Sequence, residues 1–190
     1  MKRLFIAIKI SPERGFMDQF RNLKSALRHE RIKWVEEQNI HITLKFFGET
    51  EEDRIPAIYE SMQKVASGVK AFRFSLKKLG IFGSSYEPRV VWAGIEPYRE
   101  LVEIMQSLHN ELKKAGFEPD RQNLVPHLTL GRIKYLVDKP LFQNTMDRFR
   151  EISSSEMMIS SMILFESILK KEGPEYRAVK TIELSMRNEL

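Results

Sequence analysis

The sequence predicts an α+β fold of two pseudo-symmetric lobes, each a mainly antiparallel sheet with helices on its outer face, with a cleft between them. Three observations predict it. Segments of two-residue and of 3.6-residue apolar spacing alternate along the chain. A four-residue pattern occurs twice, as His41-Ile42-Thr43-Leu44 and His127-Leu128-Thr129-Leu130, 86 positions apart. The 190 residues hold no low-complexity stretch and no long linker, so residues 1–190 read as one bilobal domain.

The elements follow in order. Leu4–Ile10 reads as a strand. Pro12 opens a helix through about Arg28, with Phe16, Phe20, Leu23 and Leu27 at helical spacing. Lys33–Val35 is a short extended piece, and Asn39–Phe47 is a strand carrying the first motif, closed by Gly48. Asp53 to about Val69 is a helix with Ile55, Ile58, Met62 and Val65 on one face. Phe72–Leu79 alternates as a strand, and Arg89–Ile95 is another. Pro97 starts a helix to Ala115, ended by Gly116, whose apolar stripe is Leu101, Ile104, Met105, Leu108 and Leu112. His127–Ile133 is the strand of the second motif, and Lys139–Arg150 a helix. Met157–Leu169 and Tyr176–Met186 form a strand pair around Gly173-Pro174. Each half of the chain thus offers strands, a helix and one His-x-Thr-x strand.

Composition limits the chemistry. The chain has no cysteine, which excludes disulfides, thiolate nucleophiles and cysteine-ligated zinc and is compatible with a cytoplasmic location. No window approaches a transmembrane span, so no membrane partner is expected. The N-terminal MKRLFIAIKI is basic, then apolar, but the run Leu4–Ile8 is short and no small-residue cleavage site follows; a first strand is the better reading. A net charge of +5 and a pI near 9.4 favour an anionic partner: nucleic acid, nucleotide or acidic lipid. Nothing points to an oligomeric interface, and a monomer is the default.

Alternate side chains of a strand point to opposite faces. Each motif copy therefore shows a His and a Thr on one face and buries two aliphatics on the other. Two such strands face to face make a polar site of two imidazoles and two hydroxyls. Histidine titrates near neutrality, so one imidazole can take a proton from water while the other gives one to a leaving oxygen. The threonine hydroxyls can donate to phosphoryl oxygens without adding charge. The remaining histidines read as bystanders: His29 in the charged stretch Arg28-His29-Glu30-Arg31, and His109 beside Leu108 on a helix. A catalytic metal site normally needs three protein ligands, and neither motif carries an acidic residue on its His/Thr face, so no metal or cofactor is expected. No Gly-x-Ser-x-Gly elbow and no glycine-rich phosphate loop is present.

Lys45 and Phe47 share parity with His41 and Thr43 on a regular strand. Lys45 could raise the positive potential of the site, whereas Phe47 is expected in the core. Arg132 has the wrong parity to join His127 and Thr129, unless Gly131 permits a bulge that re-aims it. Trp34 and Trp92 are expected to pack rather than to stack on bases.

The doubled motif resembles the signature of the 2H phosphoesterase superfamily. Within it, the chain is similar to the RNA 2′,3′-cyclic phosphodiesterases, also called 2′-5′ RNA ligases. The likeness runs nearly end to end: Arg3-Leu4-Phe5-Ile6-Ala7-Ile8; Trp34-Val35 and then Asn39 to Gly48; Arg89-Val90-Val91-Trp92-Ala93-Gly94; Pro126 to Arg132; Ser167-Ile168-Leu169 and Gly173-Pro174-Glu175-Tyr176. The resemblance implies metal-independent opening of a 2′,3′-cyclic phosphate at an RNA end to a 2′-phosphate, with reverse 2′-5′ ligation. It implies His41 as proton donor, His127 as proton acceptor, and Thr43, Thr129 and Arg132 as phosphate-binding residues. The residues themselves leave the two histidine roles interchangeable. Two other readings remain open: a phosphodiesterase for small cyclic nucleotides or an ADP-ribose cyclic phosphate, and an RNA- or nucleotide-binding module with a retired site.

Overall fold

The computed structural model describes residues 1–84, 86–119 and 125–186. Nine strands and four helices are β1 (Lys2–Lys9), α1 (Arg14–Ala26), β2 (Arg31–Trp34), β3 (His41–Thr50), α2 (Ile55–Ser67), β4 (Phe72–Gly83), β5 (Pro88–Glu96), α3 (Arg99–Lys114), β6 (Leu128–Tyr135), α4 (Lys139–Arg148), β7 (Met157–Ile159), β8 (Ser161–Leu169) and β9 (Pro174–Glu183). They pair in the order β7-β4-β5-β6-β3-β1-β8-β9, with β2 added to β6. Every pairing between these strands is antiparallel.

The expected two lobes are present, but they share one sheet. β1, β3, β8 and β9 form one lobe; β2, β4, β5, β6 and β7 form the other. They join where β3 meets β6 through a single residue pair, Ile42↔Leu128. Each of these residues is the first apolar position of a motif, so the two motifs sit side by side at the seam. The lobes do not coincide with the halves of the chain: β1 and β3 belong to one, β2 and β4 to β7 to the other, and β8 and β9 return to the first. The segment 157–169, which reads as one strand from its composition, is split for the same reason: β7 pairs with β4 in one lobe and β8 with β1 in the other.

The helices all cover one face of the sheet. The apolar stripes of α1 (Phe16, Phe20, Leu23) and α3 (Leu101, Ile104, Leu108, Leu112) are essentially inaccessible to solvent, as are Ile58 and Met62 of α2. They pack with Leu4, Ile6 and Ile8 of β1, Ile42 and Leu44 of β3 and Leu128 and Leu130 of β6 into one core that spans both lobes. Fully burying such a side chain is worth ~1.5–3 kcal/mol. α4 starts at Asp138, whose carboxylate accepts from the Leu141 N–H at 2.9 Å. Glu30, buried, accepts from the backbone N–H groups of Val137 and Asp138 and pins the β6–α4 turn to the end of α1.

The opposite face carries a small apolar cluster, Phe5, Ala7 and Phe165 with Ile163 and Tyr176 against them. This explains why Leu4–Ile8 is apolar at every position: β1 is covered on both faces. The second face is the cleft face.

Candidate active site

His41 and Thr43 stand on the cleft face of β3, and His127 and Thr129 lead into and stand on the same face of β6. In both motifs the strand then bulges at the last apolar position. Along β1, Ala7 pairs with Thr43 and Ile6 with Lys45, leaving Leu44 as the extra residue. Along β5, Trp92 pairs with Thr129 and Val91 with Gly131, leaving Leu130 as the extra residue. The same irregularity at the same motif position in both lobes is the structural content of the repeat.

The bulges decide which later residues reach the cleft. Beyond Leu130, Gly131 faces the core and Arg132 faces the cleft opposite Val90, two register positions along β5 from Thr129. The sequence expectation that a bulge could re-aim Arg132 is met, with Leu130 rather than Gly131 as the inserted residue. Beyond Leu44 the same step removes Lys45 from the cleft. Lys45 pairs with Ile6, is buried, and donates from Nζ to the Glu118 carbonyl at 2.9 Å. The expectation that Lys45 adds positive potential to the site is therefore corrected. Phe46 instead faces the cleft, beneath the Arg3 guanidinium at 5.1 Å. Phe47 packs on Phe117 and the main core, as expected.

Gly131 has a different task. A Cβ there would lie 2.7 Å from the Trp34 ring and 2.8 Å from Ile32 Cγ2. Gly131→Ala is expected to push the rigid Trp34 ring off α1, costing ~1–3 kcal/mol of stability by overpacking. A thermal or urea midpoint equal to wild type would rule this out. Trp34 also meets Phe20 edge-on at 5.9 Å, so it is packing. Trp92 packs too, but on the cleft face, where its ring covers Gly80 and tilts against Phe82 at 5.3 Å.

The two imidazoles are held alike. His41 Nδ1 lies 2.6 Å from the Asn39 carbonyl and His127 Nδ1 lies 2.7 Å from the Val125 carbonyl, in each case two residues upstream. A carbonyl only accepts, so Nδ1 carries the proton in both rings and Nε2 is left as the proton-exchanging nitrogen. Nε2 of His41 accepts from the Thr43 hydroxyl at 3.1 Å. Among the described residues, no hydrogen bond reaches Nε2 of His127.

Their surroundings differ. Phe5 packs on His41 at 5.1 Å and Tyr176 meets it edge-on at 5.3 Å. The Asn39 side chain donates to the Pro174 carbonyl at 2.9 Å, so the β8–β9 hairpin braces His41 through two contacts. Among the described residues, His127 has one aromatic neighbour, Phe82, edge-on at 4.7 Å. Burial is the first cause that holds both imidazoles below their ordinary pKa near 6.5, against the opposing effect of the carbonyl bonds. The positive Arg132 lowers both further, and His127 also lowers His41. The two rings and the guanidinium are thus within electrostatic reach of one another, and burial and Arg132 both favour the neutral imidazoles. His29 is exposed and His109 lies on α3; neither joins the site. No helix is long and apolar enough to cross a membrane among the described residues.

Sequence reasoning did not find the bracing groups. The Asn39 and Val125 contributions are backbone carbonyls, which leave no mark on residue type. Phe5, Phe82 and Tyr176 come from three strands whose proximity is set by pairing. The one legible signal was the unbroken apolar run of β1, which requires something to be covered on the cleft face.

Comparison with known proteins bears on this site directly. The model of the LigT like Phosphoesterase family matches twice, over residues 10–92 and 95–176, and each match contains one motif. The chain belongs to the LigT-like phosphoesterase family. A relative from Methanocaldococcus jannaschii named RNA 2′,3′-cyclic phosphodiesterase is 32% identical over 178 residues, covering 94% of this chain and 98% of the relative. One of the same name from Thermotoga maritima is 32% identical over 177 residues, covering 93% and 92%. Among solved structures, a protein of Thermus thermophilus matches with a TM-score of 0.78 at 23% identity over 97% of this chain and 99% of its own. E. coli LigT, crystallised with 3′-AMP, matches with a TM-score of 0.72 at 22% identity over 97% and 99%. Both have this LigT-like fold. The double family match gives the internal repeat a sequence basis that inspection of the two halves does not.

Proposed function

We propose that this LigT-like phosphoesterase hydrolyses RNA 2′,3′-cyclic phosphate ends to 2′-phosphates by metal-independent acid–base catalysis, with residues 1–190 acting as one bilobal domain. The observation that carries the reading is the matched pair of imidazoles, each with Nδ1 committed to a carbonyl two residues upstream and Nε2 left for proton exchange. The curated relatives support the RNA substrate by name.

Water attacks phosphorus, its proton goes to Nε2 of His127, the bond from phosphorus to the 3′-oxygen breaks, and Nε2 of His41 protonates that oxygen. The product is a 2′-phosphate and a free 3′-hydroxyl. Thr43, Thr129 and Arg132 hold the non-bridging oxygens. His41 must carry a proton to begin, although burial and Arg132 oppose it. The bound phosphate anion offsets the Arg132 charge, so substrate binding and proton uptake by His41 support one another. As the phosphate arrives, the Thr43 hydroxyl can leave Nε2 of His41 for a phosphoryl oxygen. The same groups in reverse roles give 2′-5′ ligation, by microscopic reversibility. The reading includes a monomer in the cytoplasm.

The test is product analysis of an oligoribonucleotide ending in a 2′,3′-cyclic phosphate, with and without EDTA. The expected product in both cases is the 2′-phosphate, identified by its phosphorus resonance. A 3′-phosphate product, or turnover of mononucleotide or ADP-ribose cyclic phosphates alone, would overturn the reading.

A further inference from the structure

We propose that Lys33, opposite Arg132, forms a second phosphate seat beside the reacting one, so that the enzyme engages an RNA strand through the phosphodiester on the 5′ side of its terminal nucleotide. The inference rests on the function proposed above and names the substrate length that the same site selects.

β2 is the strand that takes over the edge of β6 where β3 turns away. Its register sets Lys33 directly opposite Arg132, and Trp34 opposite Gly131. Ile32 and Trp34 face the core, where they meet Gly131 and α1. Lys33 therefore faces the cleft, and its side chain stands on the same face as Arg132, in cross-strand contact range. On the other flank of Arg132 stands Val90, which is uncharged.

Two like charges directly opposite one another destabilise a sheet, and proteins ordinarily separate or neutralise them. Here neither is neutralised. Among the described residues, the Lys33 and Arg132 side chains make no ion pair and no hydrogen bond, and both residues are exposed. Several cations elsewhere on the surface are paired, as in Lys2–Glu166, Arg21–Glu37 and Lys77–Glu96. Another cation on the cleft face, Arg3, has an acidic cross-strand partner in Glu49. The reacting phosphate offsets Arg132, and the unneutralised Lys33 opposite it is explained by a second anion.

The spacing agrees with a strand running out of the site. Arg132 lies two register positions, about 7 Å, along β5 from Thr129. Lys33 stands across from it on β2, along the edge of β6 that β3 leaves. A mononucleotide fills the first position only; an oligoribonucleotide carries its next phosphate towards Lys33.

The experiment compares a mononucleoside 2′,3′-cyclic phosphate with a tri- or tetraribonucleotide ending in the same group. Lys33→Gln is expected to raise KM for the oligoribonucleotide roughly tenfold, the scale of one lost charge-assisted contact. Its kcat, and both parameters for the mononucleotide, are expected to stay at wild-type values. Lys33→Arg is expected to restore the oligoribonucleotide KM, and the log–log salt slope of oligonucleotide binding to fall by about 0.7 in Lys33→Gln, as for one phosphate contact on a single strand. Lys33 is exposed, so the variants keep the wild-type melting temperature. Equal changes on both substrates, or on neither, would overturn the second seat while leaving the proposed reaction intact. A wild-type protein inert toward both substrates would overturn the reaction itself.

Discussion

Replacing either His41 or His127 with alanine is expected to lower turnover of a 2′,3′-cyclic phosphate about 10²–10⁴-fold, the range of one general acid or base. The double variant is expected to lose little more than the worse single one, because donor and acceptor serve one proton circuit. Each single variant is also expected to lose one limb of a bell-shaped pH profile. Wild-type-like turnover in either single variant would sink the two-histidine mechanism. A stability measurement separates chemistry from folding. In the native state both imidazoles titrate below 6.5, the value of the unfolded chain. Beneath 6.5 the unfolded chain therefore binds more protons than the native one, and stability falls as pH drops through that window. Each alanine variant removes one such group and is expected to lose less stability on acidification than wild type. The same acid sensitivity in all variants would show that the imidazoles are not buried in neutral form.

How much of this was legible in the sequence depended on how local each feature is. The motif strands, the apolar stripes of α1 and α3 and the pair of histidines follow from spacing within a few residues, and all are present. Features set by pairing between distant strands were not legible. A parity rule assumes a regular ladder; one inserted residue, Leu44, reverses it and turns Lys45 to the core. The mirror insertion, Leu130, gives Arg132 to the site, and there Gly131 supplied a local hint that β3 lacks. The break at Ser160 is invisible because residues on either side of it are apolar enough for a strand, and only the sheet order reveals that they belong to different lobes. The apolar clothing of β1 was legible as composition but not as purpose: Phe5 faces the cleft because His41 has to be held there.

Arg132 links these threads, because the bulge gives one side chain influence over both imidazoles. Arg132→Gln is expected to lower kcat about 10²–10³-fold, the scale of removing one preorganised donor to a developing oxyanion. It is also expected to move the pH optimum of kcat/KM upward, since the lost positive charge had lowered both histidines in the free enzyme. The profile of kcat is expected to move less, because in the complex the bound phosphate already offsets the guanidinium. Arg132→Lys keeps the charge but loses the planar fork that can grip two phosphoryl oxygens. It is therefore expected to keep the wild-type pH optimum while recovering only part of the rate. The two substitutions together divide the residue's field from its hydrogen bonds. A Gln variant with reduced rate and an unmoved kcat/KM optimum would mean that Arg132 only grips the substrate. An unreduced rate would remove Arg132 from the site and reduce the Leu130 bulge to an accident of packing. The bulge recurs at Leu44, where the residue delivered to the cleft is Phe46, so on this view the two lobes share a backbone device and differ in what it presents. That difference sets Arg132 beside one motif and Phe46 beside the other, and on the proposed mechanism it would give the substrate a direction between two otherwise matched histidines.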